Sequence, residues 1–251
     1  MFRLKKIGTL IFLLVSVCAA AFNFSVAPTR FEIALDKVNT NEIVLINNTA
    51  EPMRLESFLE VPEGYEKHNL NNSIKLYPKM VAIKPGGKQI VRFRVKPGAN
   101  MENGEYKSYV VFKEIPIKNR AIENKNSLDV QIQMITEVGI SVYGYYGEIN
   151  KEVEISNVAF SYLNKTSDLK ISANVLAKGN SSLKISQKLE VLNSNGKILE
   201  TKTAEFGRSS RNGKSKIENI VKLENLKNKK VRLTLLDSEG NVLLKKDSQI
   251  F

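Results

Sequence analysis

Residues 127–143 read SLDVQIQMITEVGISVY, and apolar side chains recur there at nearly every second position. Leu128, Val130, Ile132, Met134, Thr136, Val138, Ile140 and Val142 share one parity, while the other is mostly polar, with Asp129, Gln131, Gln133, Glu137 and Ser141. Successive side chains of an extended chain point to opposite faces, so this pattern belongs to a strand with one apolar face. An ordinary strand has about 5–6 residues, whereas this alternation persists for about fifteen, roughly 50 Å at ~3.3 Å per residue. One small sandwich does not cover so long an apolar face. Part of it is expected to touch something else.

The rest of the chain speaks the same language. Helical periodicity is nearly absent, and short alternating runs recur between clusters of Asn, Gly, Pro and Lys. In the first half they are Phe24–Leu35, Glu42–Asn47, Met53–Glu60, Lys79–Ile83, Gln89–Val95, Gly104–Glu114 and the run from Leu128. Seven strands in about 120 residues suit one immunoglobulin-like sandwich. GYYGEINKE (144–152) breaks the alternation and reads as a linker. Beyond it lie Val153–Tyr162, Leu169–Ala177, Leu183–Leu192, Ile198–Phe206, Ile217–Leu223, Lys230–Leu236 and Val242–Asp247. NSNGK (193–197) and DSEGN (237–241) carry hairpin-turn chemistry. The fold class is therefore all-β, with two immunoglobulin-like β-sandwich domains in tandem over residues 22–145 and 146–251.

Residues 1–21 read as a secretory signal peptide: the cationic MFRLKK, the apolar IGTLIFLLVSV, then small residues around Ala21. An apolar run of about eleven residues is too short to span a bilayer. Cleavage removes Cys18, the single cysteine, so disulfides and thiolate metal sites are not expected in the mature chain. It also lowers the formal charge from +12 to +9 by removing Arg3, Lys5 and Lys6. The remaining lysines are scattered without interleaved aromatic residues, which argues against nucleic acid as a partner.

A search for catalytic chemistry comes out negative. The single histidine, His68, lies in the polar loop EKHNLNN and reads as solvated. KPGGK (84–88) has tight-turn composition between two strands rather than the strand-to-helix setting of a phosphate loop. Acidic residues are dispersed, so no catalytic residue, metal site or cofactor is expected. Binding through strand edges is what remains. An edge exposes unpaired N–H and C=O groups that accept another chain as an added strand, and self-association by that route stays open.

Five stretches, taken together, resemble the periplasmic chaperones of the chaperone–usher pilus pathway. VAPTRFEI (26–33) is similar to their first strand, and VLINNT (44–49) to a strand ending in an Asn-rich turn. IKPGGKQIVRFRV (83–95) and GEYKSYVVFKEIP (104–116) resemble two later strands, and a Lys- and Asn-rich loop then leads into the long alternating strand. The resemblance covers about residues 24–145 and marks the chain as a divergent member; the second half matches in size and strand content.

That resemblance implies a periplasmic protein that lends a strand to pilus or fimbrial subunits whose own sandwich lacks one, and delivers them to an outer-membrane usher. Val130, Ile132 and Met134 would enter the subunit's groove, with Leu128 as a further contact, whereas Val138, Ile140 and Val142 would complete this chain's own core. Arg30 falls where the family anchors the subunit's C-terminal carboxylate. Arg92 and Glu105 fall where the family forms an internal charge pair. Gly139 stands where the family has a second anchoring lysine. The alternative is a secreted immunoglobulin-like adhesin or fibre subunit.

Overall fold

The computed structural model describes residues 23–116, 134–163, 166, 168–223 and 229–250. Sixteen strands and no helix occur among them. The first nine are β1 (Phe24–Ala27), β2 (Arg30–Ala34), β3 (Asn39–Asn47), β4 (Met53–Glu60), β5 (Ile74–Tyr77), β6 (Met80–Ile83), β7 (Lys88–Val95), β8 (Gly104–Glu114) and β9 (Glu137–Tyr146). They form two sheets, ordered β1-β3-β7-β5 and β2-β9-β8-β4-β6. Apolar residues at alternate positions fill the space between them. Ile43 and Leu45, Val91, Phe93 and Val95, Val110 and Phe112, and Ile140 and Val142 are all fully buried in one cluster.

The other seven strands are β10 (Val153–Leu163), β11 (Asp168–Ala177), β12 (Lys184–Leu192), β13 (Ile198–Arg208), β14 (Gly213–Lys222), β15 (Lys230–Leu236) and β16 (Val242–Gln249). Their sheets are ordered β10-β11-β14 and β13-β12-β15-β16. Leu169, Ile171, Ile185, Leu189, Val231, Leu233 and Leu235 are the fully buried centre of a second, separate cluster. Two apolar cores, each enclosed by a pair of antiparallel-rich sheets, make the chain a tandem of β-sandwiches, the fold class expected from its periodicity.

Local chemistry explains several joints. The two expected hairpins are present: Asn193–Lys197 joins β12 to β13, and Asp237–Asn241 joins β15 to β16. Gly196 and Gly240 sit at their turns with φ of 77° and 89°, a region open to glycine without steric cost. In VLINNT, the Asn47 side chain is buried and donates to the carbonyls of Glu51 and Ile83 at 2.7 and 3.2 Å. Its Oδ1 accepts from Thr49 N at 2.9 Å, so one amide fixes the turn and ties it to the end of β6.

Three details differ from the sequence reading. Phe24–Leu35 is two strands rather than one: past the cis Ala27–Pro28 bond the chain leaves one sheet and enters the other. β5 is an additional short strand, whose four residues are too few for periodicity to register. The supposed linker begins late, because Gly144, Tyr145 and Tyr146 continue β9 in register with β8. Gly144 is needed there: a Cβ would lie 2.7 Å from Leu35 Cδ1, so the glycine admits that core leucine.

Candidate functional site

The alternating run enters the described structure at Met134. Met134 is 84% exposed and Ile135 48%, whereas Ile140 and Val142 are fully buried and Val138 packs partly against the same core. The apolar parity thus changes environment along its length. Leu128, Val130 and Ile132 lie outside the described residues. Pairing changes in the same direction. β9 pairs with β8 from Glu137 to Tyr146, but with β2 only from Ser141 to Tyr145. Ser141 N donates to Thr29 O, just ahead of that ladder. Among the described residues, 137–140 therefore have a ladder on one flank only, and a strand paired on one flank is the arrangement that accepts an added strand.

Downstream of this edge, the outer face of the β2-β9-β8 sheet turns polar and aromatic. Register places Arg30 beside Ser141 and Glu32 beside Tyr143 across β2 and β9. It also places Glu105 beside Tyr145, Lys107 beside Tyr143 and Tyr109 beside Ser141 across β8 and β9. The Arg30 guanidinium stacks 4.3 Å from the Tyr143 ring centre and pairs with Glu32. Burial works against its charge, but Tyr143 and Glu32 outweigh that and hold Arg30 above its usual range. A guanidinium so placed stays charged and presents a planar fork suited to a carboxylate. Lys107 Nζ lies 5.0 Å from the Tyr143 ring and 4.8 Å from that of Tyr109.

Glu105 lies where the two sandwiches meet, fully buried at the start of β8. Ser182 Oγ is 2.8 Å from both of its carboxylate oxygens, and Ser181 Oγ is 3.1 Å from Oε2. Tyr65 donates its hydroxyl to Oε1, and burial followed by the carboxylate's charge pushes the Tyr65 phenol well above its ordinary range. Tyr145 is pushed up to about 12, again by burial first and Glu105 second. Both phenols keep their protons at any physiological pH. Arg208 Nη1 donates to Ser182 Oγ at 2.9 Å and stands 4.0 Å from Glu105 Oε2. Arg211 is buried as well, donating to the backbone carbonyls of Glu105 and Asn103 at 2.9 and 3.2 Å. Gly104 has φ 129°, and a Cβ on it would lie 2.5 Å from Asn180 O. Only a glycine admits so close an approach of the second sandwich.

The pairing expected between Arg92 and Glu105 does not form. Arg92 lies on β7, in the other sheet, and its Nε pairs at 2.7 Å with Glu42, its exposed neighbour across the β3–β7 ladder. Glu105 is taken by hydroxyls of the second sandwich. The sheet parity that places Arg92 in solvent also separates the two. Gly139 faces Val111 on the outer face of the sheet, and a Cβ there would make ordinary contact at 3.8 Å, so packing does not demand the glycine. His68 is not simply solvated: its Nε2 is 3.2 Å from Glu102 Oε2 and its ring packs edge-on against Tyr106. Among the described residues no three His, Cys, Asp or Glu side chains converge as metal ligands.

Sequence reasoning singled out Arg30 and Glu105 but missed Lys107, Tyr143, Tyr65, Ser181, Ser182, Arg208 and Arg211. Parity along β8 puts Glu105 and Lys107 on one face, a signal available in the sequence. The contributions of the second sandwich carry no such signal, because they depend on how the two sandwiches meet.

Residues 23–140 match the family model of the pili and flagellar-assembly chaperones, PapD N-terminal domain. The match spans just under half of the chain and bears out the resemblance over the first sandwich. No curated protein matches the sequence. Among solved structures, the YadV chaperone is similar at 11% identity and a TM-score of 0.49, covering 91% of this chain and 100% of that one. The CupB2 chaperone of Pseudomonas aeruginosa is similar at 9% identity and a TM-score of 0.46, covering 90% and 100%. The SafB chaperone of Salmonella enterica, in complex with SafA pilin, is similar at 11% identity and a TM-score of 0.43, covering 92% and 97%.

Proposed function

With a first sandwich that carries the PapD N-terminal domain as its premise, we propose that this protein is a periplasmic chaperone for pilus or fimbrial subunits. It lends the strand that begins at Leu128 to a subunit whose sandwich is one strand short. Leu128, Val130, Ile132 and Met134 fill the subunit's apolar groove, while the backbone pairs with its open edges. Each buried side chain contributes roughly 1.5–3 kcal/mol before the cost of association. Arg30 orients the bound subunit by pairing with its C-terminal carboxylate. Residues 1–21 direct secretion, residues 22–145 form the lending domain, residues 146–251 form the second, and an outer-membrane usher receives the cargo.

The observation that carries this reading is the change of environment along one apolar parity. The same alternation that ends in buried Ile140 and Val142 leaves Met134 84% exposed, just ahead of a stretch of β9 that is paired on one flank only among the described residues.

Co-expression in a bacterial periplasm with a pilus subunit tests the proposal. A soluble one-to-one complex that protects the subunit from proteolysis is expected. A subunit that stays soluble to the same degree without this protein contradicts the reading.

A further inference from the structure

β9 carries no lysine: Gly139 stands at the position expected to hold one, and the strand reads EVGISVYGYY throughout. Arg30 would then face an incoming carboxylate alone, and its charge is already shared with Glu32. The geometry around Tyr143 supplies what the sequence of β9 lacks. Three cationic groups converge on this one ring: Arg30 at 4.3 Å, Lys107 at 5.0 Å and Arg208 at 5.1 Å from its centre. Arg30 comes from β2, Lys107 from β8 and Arg208 from the end of β13 in the second sandwich.

The local charge is unbalanced. Glu32 neutralises Arg30 from a half-exposed position, and Glu105 is engaged by Tyr65, Ser181 and Ser182 with Arg208 at the 4.0 Å margin. Among the described residues no carboxylate pairs with Lys107, whose Nζ is instead 3.3 Å from the Tyr109 hydroxyl and flanked by aromatic rings. Three cations against two carboxylates, Glu32 and the fully committed Glu105, leave a net positive charge in aromatic surroundings that attracts an anion, and a low local dielectric strengthens the attraction.

We propose that Lys107 and Arg208 complete the carboxylate anchor begun by Arg30, so that the C-terminal carboxylate of a bound chain is held by both sandwiches at once. This rests on the carboxylate-anchoring role given to Arg30 above. It assigns the second sandwich a direct part in binding. Arg208 also donates to Ser182 beside the buried Glu105, so it is positioned by the same hydroxyl that ties the two sandwiches together. A carboxylate bridging Arg30 and Arg208 tightens that junction, because a ligand that binds the joined arrangement stabilises it.

The test uses an alternating Val-Thr peptide with a free C-terminal carboxylate and the same peptide amidated, titrated calorimetrically into the full mature chain. The acid is expected to bind the wild-type protein at least about ten-fold more tightly than the amide, as befits hydrogen bonds to a charged group. Lys107→Gln and Arg208→Gln should each remove most of that preference, as Arg30→Gln should, with the acid losing far more affinity than the amide. Arg208→Lys, which keeps the charge, should retain part of it, and this distinguishes a lost anchor from a disturbed junction. A preference abolished by Arg30→Gln but untouched by Lys107→Gln and Arg208→Gln overturns the three-cation anchor and leaves Arg30 in its role. Equal binding of acid and amide by the wild-type protein, or no binding of either, overturns both.

Discussion

Ile132→Asp is expected to weaken capture of a pilus subunit by about a thousand-fold or more, with the melting temperature of the free protein almost unchanged. The magnitude follows from burial. A carboxylate forced into an apolar groove without a partner costs several kcal/mol, and each ~1.4 kcal/mol is a factor of ten in affinity. The asymmetry between the two effects follows from the division of the long alternating run. The side chains of that run that fill this protein's own core are Ile140 and Val142, with Val138 partly packed against it. β9 itself begins at Glu137. A substitution at position 132 therefore falls on the part of the run assigned to another protein. Affinity measured by surface capture of a refolded subunit, alongside a thermal melt of the free variant, checks both halves. A variant that captures normally contradicts the donation of Ile132, and one that does not fold places Ile132 in the chain's own core.

Glu105→Ala is expected to lower stability by about 3 kcal/mol, the largest effect of any single polar substitution here. The carboxylate is fully buried and receives hydroxyls from Tyr65, Ser181 and Ser182, with Arg208 at 4.0 Å. Its removal leaves those donors facing a void between two sandwiches. A buried polar group without its partner costs about 1–3 kcal/mol, and an unpaired charge more. Urea denaturation monitored by tyrosine fluorescence, with Tyr65 and Tyr145 at the junction, reports the change. The loss should fall mainly on the coupling between the two cores, so the transition broadens or splits as well as shifting. A variant of wild-type stability with one sharp transition contradicts the role given to Glu105 in joining the two sandwiches.

These two sites show how unevenly function is written along the chain. The period-two alternation that ends in Ile140 and Val142 exposed β9, its apolar face and the fold class, because that pattern is set by the geometry of one strand alone. The strand begins at Glu137, later than the run from Leu128 predicts, and residues 128–133 lie outside the described residues. The turn residues of NSNGK and DSEGN fixed two hairpins for the same local reason. Arg30 is singled out by a resemblance in the motif around it, not by periodicity. The partner of Glu105 was not. Its ligands Ser181 and Ser182 lie about seventy-five residues away, in a loop whose composition suggests nothing beyond solvent exposure, and local periodicity is silent on such contacts. Arg92 illustrates the converse. The resemblance pairs it with Glu105, yet cross-strand register gives it exposed Glu42 as an immediate neighbour, a pair worth little to stability. The cluster around Tyr143 draws on β2, β8, β9 and β13, so it exists only once both sandwiches are in place.

The claim on which the rest depends is that the backbone of the long strand pairs with a bound subunit. Hydrogen–deuterium exchange across residues 128–140, followed in the free protein and in its complex with a pilus subunit, measures that pairing at the amides involved. Donation of the strand should slow exchange there at least about a hundred-fold on complex formation, with the amides of the second core unchanged. Exchange in residues 128–140 that is the same in both states, with a complex still formed, would show that the subunit is held elsewhere and that the strand is not lent.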